Sequence, residues 1–363
     1  MWLMVKPGLA NLKPYVPEES LSGLKKRLGL KKIVRLSANE NAYGTSPKVK
    51  QALLDWQFED ANRYPDAEAS RLRTIISEQF GISQDRLVFG NGLDEIIELL
   101  SRTLLVPGDT VIQAGPTFSE YGLHALVESA TVVEVPVDET GTTDLAGFLA
   151  AVTPTTKLIW LCNPNNPTGT YLAPQQIEAF LQEVPKTVMV VVDEAYIDFV
   201  TRDPDPSVLS LTTRYENLVV LRTFSKAYGL ANFRVGYAVV PEALASVLQT
   251  VRLPYNLSSF AEIAASAAFA DQAFVDQTTA QVAVEREKWL TFLAEMKLEY
   301  DESQANFVYF RVPDAQALSD RLMRQGYLIR TGLQPEWLRI SIGQPQENQT
   351  VRTITKNFLE EKR

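Results

Sequence analysis

Seven short apolar runs set the pattern of the chain between residues 86 and 240: RLVF, TVIQ, TVVEVPV, KLIWL, TVMVVV, LVVL and VGYAVV. Most are rich in β-branched residues and bounded by turn formers, which predicts buried strands. Between most of them lie segments with apolar positions at helical spacing, such as DEIIELLSRTLL, DLAGFLAAV and PQQIEAFLQEV. Strands alternating with helices predict a mostly parallel central sheet with helices on both faces. Upstream, Ser46-Pro47 reads as an N-cap followed by proline in the first helical turn. The segment RYPDAEASRLRTIISEQFG reads as a turn and a helix stopped by Gly81. After Pro241 the pattern changes. Partly Ala-rich helices (AEIAASAAFA) lead to a strand (ANFVYFRV), a helix (DAQALSDRLMRQG), short strands in YLIR and WLRISIG, and a last helix. That predicts a smaller α+β domain.

Composition narrows the function. With 363 residues the chain exceeds what one core usually serves, so two domains are expected. The net charge of −9 argues against a general nucleic-acid or acidic-membrane surface. One cysteine, Cys162, allows no intrachain disulfide and fits a reducing compartment. One histidine, His124, argues against a His-based triad or a multi-His metal site, so no metal is expected. No apolar run is long enough to span a bilayer, and the start carries no secretory pattern. A cytoplasmic protein is the expectation.

In open parallel sheets ligands sit beyond the carboxyl ends of the strands. The residues after each run are therefore the candidates. LVVL runs into RTFSKAYGLANFRVG, with Ser225, Lys226 and, eight positions on, Arg234. A lysine where a buried strand ends loses water, which favours the neutral amine. That amine is a nucleophile able to form a Schiff base with an aldehyde; the plainer reading is a surface turn. RLVF is followed by GNGLDEII, where Gly92, Leu93 and Asp94 offer backbone N–H groups to a phosphate or simply begin a helix. KLIWL is followed by CNPNNPTG, a structured turn in which Asn166, held extended before Pro167, presents an amide. TVMVVV ends in Asp193, a carboxylate that needs a cation, N–H donors or water. Tyr196 lies three residues on. Phe118, after TVIQ, stacks on a flat ring or joins the core. Tyr64 in NRYPD is a turn aromatic by itself, His124 a structural helix residue, and Cys162 a small buried filler.

Taken jointly, these positions resemble the fold-type-I pyridoxal-phosphate aminotransferases and, within them, the histidinol-phosphate aminotransferase family. The resemblance runs nearly the full length through LKPYVP, LSANENAYG, RYPD, GNGLDEII, NPNNPTG, VVVDEAYIDF, RTFSKAYGLANFRVGY, ANFVYF and LRISIG. It implies an α/β fold with a mostly parallel sheet and a smaller α+β domain. The implied division is an arm with part of the small domain at 1–40, a large cofactor-binding domain at 41–250 and the small domain at 251–363. It implies pyridoxal 5'-phosphate as cofactor, an amino donor and a 2-oxo acid as substrates, and a homodimer.

Roles follow from the same resemblance. Lys226 would hold the cofactor aldehyde and shuttle the proton at the substrate α-carbon. Asp193 would keep the ring nitrogen protonated, making the ring an electron sink. Asn166 and Tyr196 would bond its phenolic oxygen, and Phe118 would stack on it. Ser225, Arg234 and the backbone at Leu93 and Asp94 would hold the phosphate, with Tyr64 reaching it from the other subunit. Arg339 would take a substrate carboxylate. Tyr15, Asn41 and Arg330 would line the substrate pocket, Arg330 near a substrate phosphate.

The chain departs from the family pattern in two places. Asn232 and Phe233 stand where small or aliphatic residues are usual, and Glu18 and Glu19 follow PYVP. Acid beside a phosphate-binding mouth leaves an aromatic amino acid aminotransferase open. A threonine-phosphate decarboxylase would use the same cofactor apparatus. A non-catalytic cofactor-binding regulator would need a DNA-binding domain for which the chain has no room.

Overall fold

The computed structural model describes Leu9, Leu12 and residues 19–362. Tyr15 and Glu18 therefore lie outside the described residues.

The chain enters through helix α1 (Leu21–Leu28), capped by the Ser20 hydroxyl and closed by Gly29 in the left-handed conformation. Strand β1 (Val34–Arg35) follows, then α2 (Pro47–Leu54), whose N-cap is Ser46. Helix α3 (Ser70–Phe80) ends at Gly81, as its sequence predicts. The alternating region then gives β2 (Leu87–Asn91), α4 (Gly92–Leu104), β3 (Thr110–Gly115), α5 (Ser119–Val127) and β4 (Thr131–Pro136). It continues with α6 (Leu145–Ala151), β5 (Thr156–Cys162), α7 (Pro174–Glu183), β6 (Met189–Asp193), β7 (Leu218–Thr223) and β8 (Val235–Val239). All seven apolar runs are strands of one sheet, ordered β2-β8-β7-β6-β5-β3-β4. The pairs from β7 to β4 are parallel, while β8 runs antiparallel to both β2 and β7. Strands β5, β6 and β7 are almost wholly buried, as expected where helices cover both faces.

Downstream lie α8 (Glu242–Val251), α9 (Ser259–Phe269) and the long α10 (Gln272–Glu295). Helix α9 packs against α2 and α3. Strand β9 (Phe307–Arg311), α11 (Ala315–Arg324), β10 (Tyr327–Leu328), β11 (Arg330–Thr331), β12 (Trp337–Ser341) and α12 (Pro345–Glu360) complete the chain. The YLIR segment is not one strand. Its first half, β10, pairs with β1, and Arg330 begins β11, which pairs with β12 in a three-stranded antiparallel sheet. Strand β1 thus ties the N-terminal region to the C-terminal α+β part. No helix among the described residues is long and apolar enough to cross a membrane.

Candidate active site

The carboxyl ends of the parallel strands converge on a cavity of about 420 Å³. Its walls include Leu93, Asp94, Phe118, Asn166, Asp193, Tyr196, Ser225, Lys226 and Arg234. A second lobe of about 350 Å³ shares Phe118, Asn166, Tyr196 and Lys226 with the first and adds Arg330 and Arg339. Eleven of the residues to which the resemblance gives a site role are therefore wall residues of one bilobed cavity.

Strand β6 delivers Asp193 at its last position, only 3% exposed. Its Oδ2 accepts from the Tyr121 hydroxyl at 2.6 Å and its Oδ1 from the Ala195 N–H at 2.9 Å. Burial pushes its pKa up to about 6, partly offset by those two donors. The α-helix that could follow Asp193 is absent; a short 3-10 turn, Ile197–Phe199, follows instead. Tyr196 projects from this connection, accepting at its hydroxyl from Asn39 Nδ2 at 3.0 Å and packing edge-on against Phe307.

Lys226 lies in the turn after β7. Its Nζ donates to the Ala38 carbonyl at 3.1 Å and stands 5.6 Å from the Tyr196 ring centre. Burial, then the Arg339 charge, pushes its pKa down to about 8, against the pull of Glu40 and Asp94. Arg234 holds a left-handed backbone (φ 56°), and its guanidinium donates to Ser225 Oγ at 3.4 Å and Asp94 Oδ2 at 3.0 Å. Gly92 opens α4 with φ 76°, and a Cβ there would collide with that guanidinium. Glycine is thus required on both counts.

Arg339 is buried on β12, donating to the Ser37 carbonyl at 2.6 Å and to Asn166 Oδ1. Arg330 sits opposite it on β11 and is more open.

Two of the named residues are not brought into the cavity. Asn41 spends its amide on the Ala227 carbonyl (2.9 Å) and the Tyr43 N–H (2.9 Å), bracing the backbone beside Lys226. Tyr64 is 82% exposed and stacks on Tyr255, away from both lobes. Asn232 and Phe233 occupy a 3-10 turn whose first residue, Ala231, is the one that reaches the wall. Glu19 pairs with Arg27 at 2.9 Å on α1. His124 sits in α5 with Nε2 3.8 Å from Glu120. Cys162 is buried as expected, yet it also lines the cavity.

Sequence reasoning missed Tyr121 and Asn39. Tyr121 lies in GPTFSEYG, the segment that carries Phe118, and Asn39 lies in LSANENAYG. Tyr121 follows Phe118 at helical spacing, which was the available signal. Asn39 meets Tyr196 across 157 positions, and no local pattern announces that.

A buried amine, a buried carboxylate and a cationic corner at the strand ends are the parts that a pyridoxal-phosphate-dependent transferase site requires. Residues 31–353 match the family described as aminotransferase class I and II, and the chain belongs to it. It is 50% identical to a histidinol-phosphate aminotransferase of Lactiplantibacillus plantarum, over 98% of this chain and 99% of that one. Identity is also 50% to the Limosilactobacillus fermentum enzyme of the same name, with the same coverage. The crystal structure of histidinol-phosphate aminotransferase from Sinorhizobium meliloti, in complex with pyridoxal-5'-phosphate, superimposes with a TM-score of 0.88 at 29% identity. That match covers 100% of this chain and 99% of the other.

Proposed function

We propose that this chain is a histidinol-phosphate aminotransferase. It would use pyridoxal 5'-phosphate to exchange an amino group reversibly between histidinol phosphate and 2-oxoglutarate, in the cytoplasm, for histidine biosynthesis. The observation that carries the reading is the shared wall of the two lobes. Phe118, Asn166, Tyr196 and Lys226 border both, so a ring in the first lobe would meet a substrate anchored by the arginines of the second.

The residues fit that cofactor. Asp193 has one donor on each oxygen and room to accept from a ring N–H. Tyr196 and Asn166, both wall residues, would bond the phenolic oxygen. Ser225, Arg234 and the start of α4 suit a phosphate. Arg234 is already engaged by Asp94, so the phosphate would take over that guanidinium from the carboxylate. When bound, the cofactor supplies an electron sink for the charge left when the substrate α-carbon loses its proton.

The chain's own residues do the rest. Lys226 Nζ, with its lowered proton affinity, would hold the aldehyde carbon and afterwards carry the proton at the substrate α-carbon. Asp193 would keep the ring nitrogen protonated. Phe118 would press on the ring face and exclude water. Arg330 and Arg339 would anchor the anionic ends of histidinol phosphate and glutamate.

We further propose a homodimer in which Tyr64 reaches the partner's phosphate site. Support comes from two neighbouring segments with exposed apolar side chains: Leu54, Phe58 and Tyr64, and Leu253, Tyr255 and Phe260. Trp56–Phe260 and Tyr64–Tyr255 ring contacts bridge the two segments.

The test is stoichiometric. Purified enzyme with histidinol phosphate and 2-oxoglutarate should form glutamate in equal amount to the keto product. Carbon dioxide release from threonine phosphate without any amino acceptor would replace this reading with the lyase.

A further inference from the structure

We propose that Tyr121 is a positioning residue of this site: it fixes the Asp193 carboxylate and holds it charged toward the ring nitrogen. The inference rests on the pyridoxal-phosphate reading above. Tyr121 is fully buried on α5. Its ring stacks on Trp160 at 4.6 Å with an interplanar angle of 8°, and meets Phe118 edge-on at 5.5 Å. These contacts leave the phenol little freedom. Its hydroxyl lies 2.6 Å from Asp193 Oδ2. An ionised carboxylate only accepts, so the phenol donates, at a length typical of a charge-assisted bond. Burial and the Asp193 charge push the phenol's own pKa well up, so it keeps its proton.

The other groups facing Asp193 do not take over this task. Cys162, on the adjacent strand, is kept a thiol by burial and turns to the Pro164 carbonyl. Glu194 is buried and bound by Arg222 at 2.9 Å. Asp94 approaches from α4 already paired with Arg234. Tyr196 accepts from Asn39. Glu194 and Asp94 raise the proton affinity of Asp193, whereas Tyr121 and the Ala195 N–H lower it. Tyr121 also touches Phe118, so it joins the carboxylate to a second wall residue of the cavity.

The test has two arms. In cofactor-free protein, Tyr121→Phe should lower Tm more at pH about 8 than at pH about 4.5, because the donor favours the charged form of Asp193. An equal loss at both pH values would overturn the proposal. In protein loaded with pyridoxal phosphate carrying nitrogen-15 in its ring, Tyr121→Phe should move the ring-nitrogen resonance from the protonated toward the neutral position. Its kcat should fall about ten- to a hundredfold, with KM for the amino donor within about twofold.

Replacing Tyr121 by 3-fluorotyrosine, a stronger donor of nearly the same shape, should move the resonance the opposite way. That variant decides the matter if Tyr121→Phe fails to fold. A ring-nitrogen resonance unmoved in either folded variant would overturn the proposal. Wild-type protein giving no signal from bound ring would instead refute the cofactor reading, and the cofactor-free arm would still read the Tyr121–Asp193 coupling.

Discussion

Arg330 stands directly opposite Arg339 across the β11–β12 pair, so both side chains leave the same face of the small sheet. Both reach the second lobe of the cavity. Like charges at opposed positions cost stability, and an anionic ligand between them would offset that cost. Arg339 is the buried, hydrogen-bonded member and Arg330 the more open one. Arg330→Ala should therefore weaken histidinol phosphate about ten- to a hundredfold and phenylalanine little, since a charge-assisted bond is worth about 1.5–3 kcal/mol. Arg339→Ala should damage glutamate most. Specificity constants for the three substrates check this, and equal losses for histidinol phosphate and phenylalanine in Arg330→Ala would contradict it.

Lys226 gives a pH dependence with a definite sign. Its folded pKa lies near 8, below the ordinary value of 10.5. Between those values the folded protein carries a free amine that an ordinary lysine lacks. The rate at which cofactor-free protein takes up pyridoxal phosphate should climb with pH and level off just above 8. Lys226→Ala should abolish the visible absorbance of the lysine-bound group and nearly all turnover. A rate still rising tenfold per pH unit near pH 10 would show an unperturbed amine. Borohydride trapping of the label on another lysine would remove the assignment altogether.

Asp193 carries the opposite linkage. Its folded pKa is raised from 3.8 to about 6, so the folded protein holds a proton that the unfolded chain loses in that window. Cofactor-free stability should fall as pH rises from about 4 to 6 and stay lowered above it. Asp193→Asn cannot ionise, so its Tm relative to wild type should be more favourable at pH about 7.5 than at pH about 4.5. Its chemical step should slow about a thousandfold, equivalent to roughly 4 kcal/mol of lost stabilisation. A kcat within about threefold of wild type would mean that the ring nitrogen does not depend on this carboxylate.

Tyr64 allows a complementation test of assembly. Lys226→Ala and Tyr64→Ala chains are each impaired in the proposed dimer. A mixed dimer would regain one site with both residues intact, so mixing should restore activity above either parent. Mixed dimers that form without any gain would put Tyr64 outside the partner's site.

Much of this was legible because strand ends are. Asp193 and Lys226 follow β-branched runs, and the parallel topology carries both to one edge of the sheet. Most of the runs became strands because burial on both faces demands unbroken apolar stretches, whereas TVVEVP became β4 at the sheet edge, where most of its side chains stay at least partly open. What escaped depends on contacts between distant segments. YLIR splits between two sheets because Tyr327 and Leu328 pair with Val34 and Arg35, whereas Arg330 pairs with Arg339. Asn41 looked like a pocket residue, but its amide braces the backbone at Ala227, while its neighbour Asn39 faces Tyr196. A one-residue difference in an irregular segment has no periodicity to reveal it. Tyr121 was hidden differently: a buried aromatic on a helix is ordinarily core, and only the 2.6 Å contact with Asp193 gives it a further part.

The most direct measurement of the central claim is the ratio of kcat/KM for histidinol phosphate to that for phenylalanine, with 2-oxoglutarate as acceptor, in the wild-type enzyme. A phosphate held by Arg330 as well as Arg339, where phenylalanine offers only a carboxylate, predicts a ratio of at least about ten in favour of histidinol phosphate. A ratio below one would contradict the account and make the enzyme an aromatic amino acid aminotransferase.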